Sequence, residues 1–240
     1  MQAVTMNGLS LQRASEPLRN THELVLKAVR QAGSALRHAS ETLRNNEGIV
    51  MAAVTTNGMA LQHASLALRS NRAVVKQAVA QDAWAFFHAA QELQGDHEVA
   101  LLAASRDDAV LECMPKSILS QRKFALELVS RRGRALEYLS QDLRRDVALV
   151  LRAVAQDISA FKFVRKDIFE TRQFAKRVTQ LLVTRLANGG AADVFSFGRC
   201  CTEAWQIVFL FLTPDALVAS ALSCKSLWAS LSSASKSSLR

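Results

Sequence analysis

Shifted by 25 residues, much of this chain aligns with itself without an insertion: Ala3-Val4 falls on Ala28-Val29, Ala53-Val54, Ala78-Val79 and Ala153-Val154. Such register marks a repeat array, in which one short unit is too small to close its own core and stability comes from stacking. Three further columns are apolar throughout. They are Leu11, Leu36, Leu61, Phe86, Leu111, Leu136 and Phe161; Leu18, Leu43, Leu68, Leu93, Ile118, Leu143 and Ile168; and Leu24, Ile49, Val74, Val99, Phe124 and Leu149.

Inside one unit, Val25, Ala28 and Val29 have i, i+3, i+4 spacing, and Leu36, Ala39 and Leu43 have i, i+3, i+7 spacing. Each set lies on one face of a helix, which predicts two short helices per repeat. Gly8, Gly33, Gly58 and Gly133 sit between them, with Ala83 and Asp108 in two copies. A glycine there is expected to end the first helix in the left-handed conformation. Thr21, Asn46, Asn71, Asp96 and Asp146 are expected to cap the next helix, a pattern from which Gln121 departs. Arg19, Arg44, Arg69 and Arg144 fall at the end of the second helix, where a cation meets its negative end. Ala39, Ala64 and Ala89 are small enough to let neighbouring units approach closely.

The fold class that follows is all-α: an α-solenoid of stacked short helix-turn-helix units with a small C-terminal helical module. Composition agrees, since 50% of the 240 residues are hydrophobic, 21% are charged and three are Pro. The expected organisation is a repeat array over 1–165, a basic amphipathic helix over 166–187 and a Gly/Ala hinge over 188–200. Helices over 201–232 and a Ser-rich tail over 233–240 follow. Ala3-Val4 reads as the end of a first helix whose preceding turn is missing, which is expected to leave an uncapped edge.

The repeat residues resemble a family found in protists and some large viruses and described only as a domain of unknown function. Its pattern is Ala-Val, a Gly turn, Ala-Leu-x-x-Ala, then Leu-Arg-Asn-Asp. Ala35-Leu36-Arg37-His38-Ala39 and Leu43-Arg44-Asn45-Asn46 fit it closely. The resemblance covers residues 3 to 165 and implies a fold, with no activity attached. Residues 103 to 121 depart from it. Asp107-Asp108 replaces the turn glycine, and Pro115 reads as lying inside the second helix, where it would remove a hydrogen bond at about 3 kcal/mol and bend or degrade the unit.

Little in the chain points to catalysis. It has no phosphate-binding Gly-x-x-x-x-Gly-Lys loop, no Gly-x-Ser-x-Gly elbow and no His-Glu-x-x-His. Asp107-Asp108 reads as a degenerate turn more readily than as an acid pair. His38, His63 and His88 share one column that continues as Arg13, Cys113, Tyr138 and Phe163, so it reads as a ladder of long or flat side chains rather than a metal site. Neither a cofactor nor a metal is expected. Cys113, Cys200, Cys201 and Cys224 lack Cys-x-x-Cys spacing and read as reduced thiols. No charged-then-apolar leader opens the chain, and the apolar run Trp205 to Leu212 is far short of the roughly 20 residues of a membrane span. The expected location is cytoplasmic or nuclear.

Charge is uneven. Residues 122 to 185 carry 15 Lys and Arg against 7 Asp and Glu, whereas residues 1 to 121 carry 11 of each. Arg131, Arg132, Arg134, Arg144 and Arg145 form a candidate patch for nucleic acid or an acidic partner, against the simpler reading of a solvated face. The tail resembles an F-box, a three-helix motif that docks on a Skp1-like adaptor of cullin ubiquitin ligases. The residues that carry the resemblance are Val208, Phe209, Leu212, Pro214, Asp215, Leu217 and Trp228, with Ser223-Cys224-Lys225 before Trp228. The opening Leu-Pro of that motif is absent, and helices that merely cap the last repeat fit equally well. The expected function is a non-enzymatic protein-protein interaction scaffold, with the tail as a ubiquitin-ligase adaptor; nucleic-acid binding through 122 to 185 is the alternative.

Overall fold

The computed structural model describes residues 7–165 and, beyond them, Ile168, Phe174, Arg177, Val178, Gln180 and Leu181. Every regular element among the described residues is helical. The chain divides into two compact units, Met1–Phe124 and Ala125–Arg240.

A period contains three helical segments rather than the two expected. In the second, a ten-residue α-helix His22–Gln31 is followed by a six-residue 3-10 helix Gly33–His38 and a single α-turn Glu41–Arg44. Leu36, Ala39 and Leu43 have the spacing for one helix, but Ala39 (φ −68°, ψ 157°) and Ser40 (φ −60°, ψ 158°) are extended and break it. The break follows from where the Ser40 amide goes: it donates to the Arg19 carbonyl of the preceding repeat at 3.0 Å. Ser65 does the same to Arg44 and Ala90 to Arg69. An amide committed to a neighbouring repeat has no proton left for an i−4 bond. With three residues per turn, Gly33, Leu36 and Ala39 stack along one edge of the 3-10 segment, and all three are buried.

In the first unit, His22–Gln31 packs on Glu47–Thr56, which packs on Arg72–Gln81, which packs on His97–Arg106. The 3-10 helices Gly8–Arg13, Gly33–His38, Gly58–His63 and Ala83–His88 stack beside them in the same order. In the second unit, Val147–Gln156 packs on the 3-10 helices Gly133–Tyr138 and Ile158–Phe163, which also pack on each other. Residues of the 166–187 segment that are described are helical; Ile168, Phe174 and Val178 are buried, Arg177 and Gln180 are exposed, and Phe174 meets the Phe161 ring. The Leu11 and Leu24 columns are buried at every position, whereas Leu18 and Leu93 in the third column are half-buried.

The repeat glycines do not end helices in the left-handed conformation. Before Gly33, Ala32 is extended (φ −144°, ψ 103°), and no described glycine has a positive φ in the left-handed range. Close approach explains them instead. A Cβ on Gly33 would come inside 3.0 Å of the Ala53 carbonyl oxygen, and one on Gly58 inside 3.0 Å of the Ala78 carbonyl oxygen. The glycine amides then bond the next repeat: Gly58 donates to Gln81 Oε1 at 2.5 Å and Gly133 to Gln156 Oε1 at 2.6 Å.

The irregular unit also differs from expectation. Asp108 opens an α-helix, Ala109–Cys113, where other repeats carry a 3-10 helix. Pro115 is not inside a helix. It precedes the turn Lys116–Leu119 with φ −55° and ψ 130°, so the expected helical penalty does not arise. What Pro115 lacks is the amide that Ser40, Ser65 and Ala90 give to the preceding repeat. The equivalent bond to the Gln94 carbonyl cannot form.

Capping follows the predicted column with one exception. Asn46, Asn71, Asp96 and Asp146 accept amides from the first turns of their helices, but the Thr21 hydroxyl donates to the Pro17 carbonyl. Asp96 accepts from the Glu98 and Val99 amides at 2.9 and 3.1 Å and pairs with Arg72 at 2.9 Å. Asp96→Ala should lose about 1–2 kcal/mol of stability, read from the urea midpoint. Burial raises the Asp96 carboxyl, but the Val99 amide and Arg72 outweigh it and hold it below its ordinary value. A depressed folded-state value stabilises above the unfolded value near 3.9 and is lost as pH falls through the folded one. Asp96→Asn, which keeps the cap, should therefore flatten the loss of stability below about pH 4; an unchanged acid profile would contradict this.

Candidate interaction surface

Several recurring polar residues bind repeats together. Asn20 Oδ1 accepts from the Ser40 and Thr42 hydroxyls at 2.6 and 2.7 Å, and Asn45 Oδ1 accepts from Ser65 at 2.6 Å. A second capping column, missed in the sequence reading, opens the segment after each long helix. Asn57, Asp82 and Asp157 accept the amides of Met59, Trp84 and Ser159 at 2.8–3.0 Å. The Asn and Asp residues at 7, 57, 82, 107 and 157 are the signal that shows it. Asp107 belongs to it, capping Ala109 at 2.9 Å and accepting the Trp84 indole at 3.1 Å. Asp107 of the Asp107-Asp108 pair thus serves structure.

The arginine column does not serve its own short helix as expected. Arg19 donates through Nε to the Ala14 carbonyl at 2.9 Å and through Nη2 to Gln12 at 3.1 Å, which places it on the closing carbonyls of the 3-10 segment. Gln94, in the same column, repeats the pattern on Phe87 and Ala89 at 3.1 and 3.0 Å. Arg44 and Arg69 make no such bond: Nε of each is buried with no hydrogen-bond partner, and neither has an ion pair among the described residues.

These arginines run beside the histidine ladder. Ser40 bonded to the Arg19 carbonyl sets Arg19 against the end of the segment that carries His38, and the next two repeats repeat this with Arg44 and Arg69. His38, His63 and His88 are half-buried. Burial lowers all three. Arg37 and Arg19 lower His38 further; Arg37, Arg44, His88 and His38 lower His63; Arg69 lowers His88, against a smaller raising effect of Asp82. The Arg37 Nε–H donates to His38 Nε2 at 2.8 Å, which requires that nitrogen to be unprotonated. Among the described residues no group of three or more His, Cys, Asp or Glu is placed to share a metal ion.

Of the other predicted site residues, Arg131 and Arg134 are exposed and Arg132 is half-buried; all three flank the start of Gly133–Tyr138. Arg144 and Arg145 close a separate 3-10 turn, Leu143–Arg145. The patch is therefore two clusters at different places in the repeat. Val208, Phe209, Leu212, Pro214, Asp215, Leu217 and Trp228 lie outside the described residues. No helix of the described residues is long and apolar enough to cross a membrane.

A family model described as a domain of unknown function, DUF4116, matches residues 1–44, 46–94, 96–144 and 121–169. The last two matches begin 25 residues apart, in step with the period read from the columns. No curated protein and no solved structure matches the chain. Because the matched stretches take in well over half of its length, the chain belongs to the DUF4116 family.

Proposed function

We propose that this chain is a non-enzymatic scaffold that holds a partner protein on the exposed columns of its repeats. The observation that carries this reading is the division of labour among recurring residues. Apolar columns are buried, and Asn, Asp, Ser and Gly columns cap helices or bond the next repeat, which leaves a periodic outer surface free for recognition. Periodic surfaces of this kind suit extended partners.

On this reading the tail, through Phe209 and Leu217, recruits a Skp1-like adaptor. Its support is the sequence resemblance alone. Affinity purification with the full chain, compared with a chain ending at Asn188, tests both parts. A specific protein should be retained by both, with the adaptor lost from the shorter one and from Phe209→Asp/Leu217→Asp. Retention of no protein by either would overturn the scaffold, and an adaptor indifferent to the tail would overturn the adaptor role.

A second reading is favoured by the exposed Arg131 and Arg134: binding of an acidic partner, nucleic acid included, at that cluster. Charge reversal of both should weaken it and flatten a steep salt dependence; salt-insensitive binding would count against it.

A further inference from the structure

We propose that Arg19, His38, Arg44, His63, Arg69 and His88 form a docking stripe for an extended, carboxylate-rich segment of a partner protein, with an acidic residue at about every third position. The inference rests on the scaffold reading and names the chemistry of the partner. Three permanently charged guanidiniums alternate with three imidazoles along successive repeats of the first unit, joined by the Ser40 and Ser65 amide bonds to Arg19 and Arg44. The side chains of Arg44 and Arg69 are the uncommitted ones, having neither a hydrogen bond nor an ion pair among the described residues. Elsewhere on this unit, Asp96 and Glu98 pair with Arg72 and Lys76 rather than with the stripe. Arg44 and Arg69 are half-buried, and a planar guanidinium matches a carboxylate in two-point geometry.

Spacing selects the form of the partner. Packed helices lie about 8–10 Å apart, so the stripe presents one arginine per repeat at about that interval. An extended peptide advances about 3.3 Å per residue, and three residues cover the same distance. Single-stranded nucleic acid is the less suitable occupant, because the stripe contains no Phe, Tyr or Trp to serve as a broad stacking platform for a base.

The imidazoles add a dependence on pH. Burial first, and then the neighbouring arginines, lower all three from the ordinary imidazole value, against the sole opposing contribution given to His88 by Asp82. Their folded-state values lie below the unfolded one near 6.5, so protonation destabilises the free protein as pH falls through that range. A bound row of carboxylates favours the protonated form, and binding tightens on acidification while the carboxylates stay ionised.

Fluorescence anisotropy with the full chain tests this, using a labelled peptide of Glu-Ser-Gly triplets and one of the same composition with its Glu residues clustered. The spaced peptide should bind about tenfold more tightly than the clustered one and more tightly at pH 5.5 than at pH 7.5. Arg44→Gln/Arg69→Gln should lose about tenfold or more, since each charge-assisted contact contributes of that order. Gln is compatible with the fold there, because Gln94 already fills the column. His63→Gln should reduce the gain at low pH. Absence of binding, equal affinity for the two peptides, an unaffected double variant, or preference for an oligoribonucleotide of equal charge overturns the stripe. If the double variant still retains the same protein in the affinity purification as the native chain, the stripe falls and the scaffold reading stands; if neither retains any, both fall.

Discussion

Gly58→Val should destabilise the protein by about 3 kcal/mol, the upper end of what overpacking a close contact usually costs. The atoms that a Cβ at Gly58 would meet belong to the next repeat: the Ala78 carbonyl oxygen, Asp82 Cβ at 2.8 Å and the Asp82 amide nitrogen at 2.9 Å. Backbone and a capping residue cannot swing aside as the end of a long side chain can. The same change would push apart the pair in which the Gly58 amide donates to Gln81, so a repeat-to-repeat bond is weakened together with the packing. Gly95→Ala is the matched control. Its Cβ would meet nothing closer than 3.5 Å, and its backbone is helical at φ −86°, ψ −5°. That substitution should be neutral or stabilise by up to about 1 kcal/mol through the unfolded chain. Urea unfolding followed by circular dichroism reads both; equal midpoints for the two variants would refute the close-approach account of the repeat glycines.

Phe86→Ala should cost about 3–5 kcal/mol, whereas Phe86→Leu should cost under about 1.5 kcal/mol. Phe86 is fully buried and meets the Phe87 ring edge-on at a centroid distance of 5.4 Å. Leucine is what the same column holds at Leu11, Leu36 and Leu61, each also fully buried, so the site accepts that shape with modest repacking. Alanine leaves a cavity between stacked segments, and because each repeat is stabilised by its neighbours the loss is felt on both sides. A large shift for Phe86→Leu, comparable to that for Phe86→Ala, would mean that the column is specific for an aromatic rather than simply filled.

The apolar columns were legible because burial acts on each residue alone and recurs every 25 positions. Phe86, Phe161 and the leucines between them in that column declare themselves as core whatever the stacking of the units. The caps at Asn46, Asn71, Asp96 and Asp146 were legible for a related reason, since a cap is made within three residues. Leu36, Ala39 and Leu43 misled because their spacing suits one helix, and nothing local reveals that the Ser40 amide is taken by Arg19. Pro115 misled in consequence: with the helix wrongly continued through that position, a residue that opens a short turn looked like a breaker.

The candidate surface was legible only in pieces. His38, His63 and His88 were visible as one column, and Arg19, Arg44 and Arg69 as another. Arg19 and His38 are far apart along the chain and belong to different repeats, so no spacing rule joins them. Their meeting depends on the short 3-10 segment and on the bond that carries one repeat into the next.

The sequence by itself determined the period, the buried columns and the helix starts, because those depend on single residues or on contacts within one turn. The tertiary structure decided the third segment of each repeat, the reason for its glycine and the alignment of arginine with histidine. Each of these turns on a backbone amide or a Cα lying against the neighbouring repeat, and such a contact has no representation in the residue types on one side of it alone.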